Sequence, residues 1–149
     1  MSAARRKRLD RVRSVWEEDL RRAVAALTNA KNRADVAQAH LEEARARTRA
    51  AKTAKSGLMG GASADEWRAR EAWIATCAVR EERAFLARVA ADQAASAALR
   101  AVTVAEQKIE RLRLVVARIL ETEATAQRRA ERREEDDFAQ RAHTRGGTT

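Results

Sequence analysis

The sequence predicts an all-α protein, a long antiparallel two-helix coiled-coil hairpin in which the second helix is longer than the first. Three observations predict this class. Proline, the strongest helix breaker, is absent from all 149 residues. The five glycines lie in two clusters, at 57–61 and 146–147. Alanine supplies much of the 45% hydrophobic content and aromatic residues only 3%, which suits a narrow buried stripe better than a compact core.

The first helix is expected over about residues 4–56. Lys55 lies in its last turn, where a cation suits the negative end of the helix dipole. Gly57 can adopt the left-handed conformation that often ends a helix. A glycine-rich loop is therefore expected over residues 57–63.

The second helix is expected over about residues 64–144. Ser63 and Glu66 have the spacing of a capping box, which marks a helix start. Residues 145–149 are expected to form a disordered tail. The whole chain, residues 1–149, is interpreted as a single coiled-coil domain.

A heptad pattern runs through both predicted helices without a phase break. In the first helix the two seam rows are Leu9, Trp16, Ala23, Ala30, Ala37, Ala44 and Ala51, and Leu20, Leu27, Ala34 and Leu41. In the second they are Cys77, Ala84, Ala91, Ala98, Ala105, Leu112, Ile119 and Ala126, and Trp67, Ile74, Glu81, Arg88, Ala95, Val102, Ile109, Val116, Glu123 and Ala130. The alanines allow close approach of the helices. The short loop favours a hairpin over an intermolecular dimer, which stays as the alternative.

The loop position also predicts a register. With a turn centred near residue 60, position i faces roughly position 120 − i, so Arg5 is expected beside Val115. The second helix should then project by about 40 Å past the first. Because the projection would carry Ile119 and Leu120 together with Ala126 and Ala130, a partner protein is expected to cover it.

Charge and composition argue against membrane-spanning and secreted classes of protein. No run of about 18 apolar residues exists, so no transmembrane helix is expected. The basic start is followed by no apolar stretch, which argues against a secretory signal. Cys77 is the only cysteine, so no internal disulfide is expected. Both observations predict a reducing, cytosolic location. The formal charge is +9, and residues 1–56 hold 15 basic and 7 acidic side chains.

The sequence contains no set of residues typical of an enzyme active site, and no cofactor or metal is expected. His40 and His143 lie on different predicted helices, and Cys77 falls on a seam row, as a structural thiol does. The glycine cluster lacks the lysine of a phosphate-binding loop. The basic start could bind phosphates, but with few aromatic residues nucleic acid is not expected as the main partner.

The outward face of the second helix carries Val79, Leu86 and Val89, which suggests either a partner surface or packing against the loop. Leu58 and Met59 at the tip add to this surface.

The two ends of the chain resemble a known family. The start, RLDRVRSVWEEDLRRAVAAL, is similar to the opening of the flagellar type III export stalk proteins (FliJ-like). The end, RRAERREEDDFAQRAHTR, resembles that family's C-terminal signature, with an acidic pair, Asp136 and Asp137, before Phe138 and Ala139. The phenylalanine that often opens flagellar members is missing. The virulence-type secretion system has an equivalent stalk, so both systems stay open.

The resemblance implies a non-catalytic stalk similar to that of rotary ATPases, located in the cytoplasm beside the inner membrane. Its paired termini would insert into a hexameric export ATPase, and its hairpin would engage the cytoplasmic domain of the export-gate membrane protein. Export chaperones are further candidate partners. The alternatives are a basic coiled-coil nucleic-acid-binding protein and a structural dimerising protein.

Residues for both contacts follow as hypotheses. The side chains expected to face the ATPase ring are Arg5, Arg6, Arg8, Ile119, Arg128, Arg129, Arg132 and Arg133. The side chains expected to contact the gate are Trp67, Trp73, Val79 and Leu86.

Overall fold

The computed structural model describes residues 1–58 and 60–147, which form two helices. Helix α1 spans Ala3–Ser56 and helix α2 spans Ala64–Gly146. The two helices are in contact, so the predicted all-α, two-helix hairpin with a longer second helix is confirmed. Helix α2 ends two residues beyond the predicted end. Met59, suggested above as a tip contact, lies outside the described residues, as do the last two residues of the predicted tail.

In the loop between Ser56 and Ala64, the left-handed residue lies later than the sequence suggested. Gly57 N donates to Thr53 O and Leu58 N to Lys55 O, both at 3.1 Å, so helical hydrogen bonding continues past Ser56. The left-handed backbone expected at Gly57 is found instead at Gly60, where φ is 105°. That prediction was wrong because a glycine near a helix end can also continue the last turn. At the start of α2, Ser63 Oγ accepts from Glu66 N at 3.2 Å, as predicted.

The chain forms two compact units, which are described separately. The loop unit is Leu20–Val104, and the terminal unit combines Met1–Asp19 with Ala105–Thr149. In each unit a segment of α1 packs against a segment of α2. The interpretation of the whole chain as one domain stays a prediction.

The buried side chains follow the predicted heptad rows. The fully buried positions are Leu41, Thr48, Ala51, Cys77 and Val102 in the loop unit and Leu112 in the terminal unit. Every other predicted seam position up to Glu123 is half-buried. Ala126 and Ala130 are the two exceptions, because both are exposed. The seam therefore ends close to Glu123.

Contacts across the seam keep roughly the predicted register within each unit. In the loop unit the ring of Trp67 lies under Lys55 Nζ, only two residues further along α2 than predicted. Arg45 Nε lies 3.8 Å from Glu81 Oε1, and Lys55 Nζ lies 3.1 Å from Glu71 Oε1. In the terminal unit the Met1 amino nitrogen lies 2.6 Å from Glu123 Oε2. These ion-pair partners lie about four to six residues further along α2, a distance that their long side chains span.

Leu58 is half-buried although it follows α1, so it continues the seam into the loop. At the other end, Arg6 lines one groove with Val116, so the start of α1 lies close to the place on α2 that the sequence predicted. One prediction is corrected. Ile119 is half-buried in the seam and does not belong to an uncovered projection.

Candidate functional site

The last part of α2, in the terminal unit, is uncovered. From residue 126 to residue 146 every side chain is exposed, and we call these residues the exposed segment. At 1.5 Å per residue it is about 30 Å long, shorter than the 40 Å expected from the sequence. Phe138 is the most exposed large apolar side chain among the described residues, at 76%.

The charges of the exposed segment are arranged in two blocks. Residues 128–133 hold four arginines and one glutamate, and residues 134–137 are all acidic. With about 100° of rotation per residue, the four arginines fall within about 140° around the helix, whereas the four acidic residues are spread round it. Arg128, Arg129, Arg132 and Arg133 therefore form a one-sided cationic face.

The three predicted ring contacts of α1 lie at its start. Ser2 Oγ accepts from Arg5 N at 3.2 Å and so caps the first turn. Arg5, Arg6 and Arg8 are all exposed. The structure thus places all of these arginines on accessible surface of the terminal unit, whereas Ile119 lies in the seam.

A groove in the terminal unit runs beside this start. Its volume is about 550 Å³, and its apolar floor comes mainly from α2. The floor residues are Leu9, Ile109, Leu112, Val116 and Leu120, and the rim includes Arg6, Arg13 and Arg113. Arg113 donates two hydrogen bonds to Glu110, at 3.0 and 2.8 Å, and these lower the pKa of the Glu110 carboxyl. The seam is open here because Arg6 and Arg13 occupy heptad positions that apolar residues hold elsewhere.

The predicted gate residues divide into two places within the loop unit. Val79 and Leu86 are exposed and lie seven residues apart, on the same side of α2. Trp67 is half-buried at the seam, and its ring lies under Lys55 Nζ at 4.7 Å. Trp73 is exposed and stacks against the Arg80 guanidinium at 5.4 Å. The outward face therefore consists of Val79 and Leu86, with Trp73 at its side.

Sequence reasoning missed one surface. Arg33 on α1 and Arg83 on α2 line the same groove of the loop unit, together with Val36, Ala37 and Ala84. Neither arginine stood out in the sequence because arginine is frequent throughout the chain. The packing of the two helices brings them together.

No catalytic or metal-binding arrangement appears in the part of the chain that the structure describes. Residues 1–58 and 60–147 contain no group of three or more histidine, cysteine, aspartate or glutamate side chains that could hold a metal ion. Neither described helix has an apolar stretch of the length that a bilayer crossing requires.

One comparison with known proteins gives a match. Residues 5–148 match the family model described as "Flagellar FliJ protein". No curated protein and no solved structure matches the chain. The family match covers nearly the whole chain, and it confirms the resemblance that the two ends suggested.

Proposed function

Because this chain belongs to the flagellar FliJ protein family, we propose that it is the central stalk of the flagellar protein export apparatus. The paired ends of its terminal unit insert into the hexameric export ATPase, and its loop unit contacts the cytoplasmic domain of the export-gate membrane protein. The protein acts on the cytoplasmic side, peripheral to the inner membrane.

Family membership by itself makes the protein a non-catalytic component of the flagellar export apparatus. It also answers the question that the sequence left open, since the matching family is flagellar and not of the virulence type. We propose export chaperones as further partners of the protein.

The exposed segment of α2 is the observation that carries the proposal. Every side chain of this segment is exposed, so its apolar and charged groups are available to a partner. Its one-sided face of four arginines suits a ring lining of opposite charge, since complementary charges give both orientation and fast association. The terminal unit carries further exposed cationic side chains at Arg5, Arg6 and Arg8.

ATP turnover by the purified export ATPase tests the proposal. We expect the full-length protein to raise the turnover rate, because a stalk inside a ring favours the assembled hexamer. The rate is measured across a titration from substoichiometric amounts to a several-fold excess. An unchanged rate and an unchanged hexamer fraction at saturation would refute insertion into the ring.

The gate contact is tested on the outward face of the loop unit. In the double variant Val79→Asp/Leu86→Asp we expect binding to the purified gate domain to weaken by at least about tenfold, because two charges would be buried against an apolar partner. Calorimetric titration gives the affinity. Both residues are exposed, so the fold should be retained.

The matched control is Leu99→Asp/Val104→Asp, which changes two exposed apolar residues elsewhere in the loop unit. It should bind the gate domain as the wild type does. Equal affinity of both double variants and the wild type would show that Val79 and Leu86 do not contact the gate.

A further inference from the structure

A groove runs along one side of the loop unit, and Arg80 at its rim stacks on Trp73, one of the residues assigned to the gate. Two hollows of about 510 and 210 Å³ share His40 and Ala84, so they form one continuous depression. We call it the arginine groove. Its lining residues extend from Asn32 to Arg47 on α1 and from Cys77 to Ala87 on α2.

The floor of the arginine groove is apolar and incompletely covered. It is formed by Val36, Ala37, Ala44, Ala84 and Ala87. Val36 is 54% exposed, a large fraction for an apolar side chain between two helices. Because the other four floor residues are alanines, a third helix could approach to the 8–10 Å that closely packed helices reach.

The rim is strongly cationic. Arg33 and Arg83 border the larger hollow, and Arg47 and Arg80 border the smaller one. Arg47 is bound to Glu43 at 2.6 Å, and Glu43 is the single acidic residue in the lining. Within residues 1–58 and 60–147, Arg33, Arg80 and Arg83 have no carboxylate partner.

We propose that the arginine groove docks an acidic amphipathic helix of a partner protein. The apolar face of that helix covers Val36 and the alanines of the floor. Carboxylates on its flanks pair with Arg33 on one side and Arg83 on the other. The sixteen-residue lining of α1 is about 24 Å long, which accommodates roughly four helical turns.

The charge pattern distinguishes this occupant from two others. A second copy of the chain, docked through the same groove, would place arginines against arginines, which repels. Nucleic acid would satisfy the arginines but leave the apolar floor uncovered, and the lining offers bases the His40 imidazole but no Phe, Tyr or Trp ring. A helix with an apolar face and acidic flanks satisfies both parts of the groove. The proposal does not depend on the stalk role.

A stapled helical peptide provides a direct test on the full-length protein. The probe is a fluorescein-labelled amphipathic peptide of about 18 residues, with leucine and alanine on one face and glutamate on both flanks. Stapling holds it helical before binding, which removes the ordering cost. Fluorescence anisotropy gives its affinity. The matched peptide has lysine in place of every glutamate and should bind at least about tenfold more weakly.

Protein variants locate the contact. Arg33→Glu/Arg83→Glu should weaken binding of the acidic peptide by at least about tenfold. The control Arg49→Glu/Arg100→Glu makes the same change in net charge at exposed positions outside the groove and should have little effect. Ala87→Phe fills the groove without altering charge and should also abolish binding, whereas Ala78→Phe, at another exposed alanine of α2, should not. Circular dichroism confirms that each variant folds.

Three results would overturn the proposal. The first is equal affinity of the acidic peptide for the wild type and for both groove variants. The second is binding of a labelled oligonucleotide to the wild type in competition with the peptide, with loss of that binding in Arg33→Glu/Arg83→Glu. This result would assign the groove to nucleic acid. The third is a dimer, detected by sedimentation, that the groove variants dissociate.

Discussion

Replacing Arg128, Arg129, Arg132 and Arg133 together by glutamine is expected to raise the concentration needed for half-maximal stimulation of the export ATPase by at least about tenfold. All four side chains are exposed and lie on one face of α2. Glutamine has a helix propensity close to that of arginine, so the variant removes charge while keeping the helix. The measurement is ATP turnover as a function of stalk concentration.

Salt provides an independent readout of the same contact. If the arginines act through charge, the wild-type protein should lose stimulation steeply between low and physiological ionic strength, and the glutamine variant should depend on salt much less. The control replaces Arg49, Arg70, Arg100 and Arg111 by glutamine. These four arginines are exposed but lie outside the exposed segment, so the control removes the same total charge at other places. Identical titration curves for the two variants would show that only net charge matters and that the exposed segment makes no specific contact.

Replacing Leu41 by alanine is expected to lower the free energy of unfolding by about 2–5 kcal/mol. Leu41 has 0% exposure and is the largest fully buried side chain among the described residues. Its neighbours along the seam rows include many alanines, which have no further side-chain atoms with which to fill the space. The loss therefore combines the transfer of a buried side chain to water with an unfilled cavity.

Chemical denaturation followed by circular dichroism measures this change. Leu99→Ala is the matched control, because it removes the same atoms from a side chain that is 52% exposed in the same unit. The control should lower the free energy of unfolding by roughly 0.5 kcal/mol or less. Equal destabilisation by the two substitutions would mean that the seam does not hold the loop unit together.

The seam could be predicted from the sequence almost position by position. Alternating steps of three and four residues persist from Trp16 onward in α1 and from Ile74 to Glu123 in α2, and the structure buries or half-buries that whole set. The prediction succeeded even at Glu81, where a polar residue occupies the seam, because the neighbouring heptad positions fix the phase. Glu81 is accommodated by its ion pair with Arg45.

The details of the loop and of the surface grooves followed less directly from the sequence. A heptad repeat fixes which side of a helix is buried, but it leaves sliding by whole heptads or single turns undetermined, so the register rested on the turn near residue 60. Gly60 does adopt the left-handed conformation there, but the sequence did not indicate that Leu58 continues the seam. The arginine groove did not stand out because its arginines are divided between two helices and arginine is frequent throughout the chain.

The continuity of α2 has a consequence for how a partner meets its last turns. A separate peptide of that length, rich in charge and poor in apolar residues, would have to nucleate a helix unaided, and nucleation is the costly step. In this chain the seam from Ala105 to Glu123 has already ordered the preceding turns, so residues 126–146 extend a helix by propagation alone. A partner therefore binds a surface whose folding entropy is already lost, and more of the contact energy is retained as affinity.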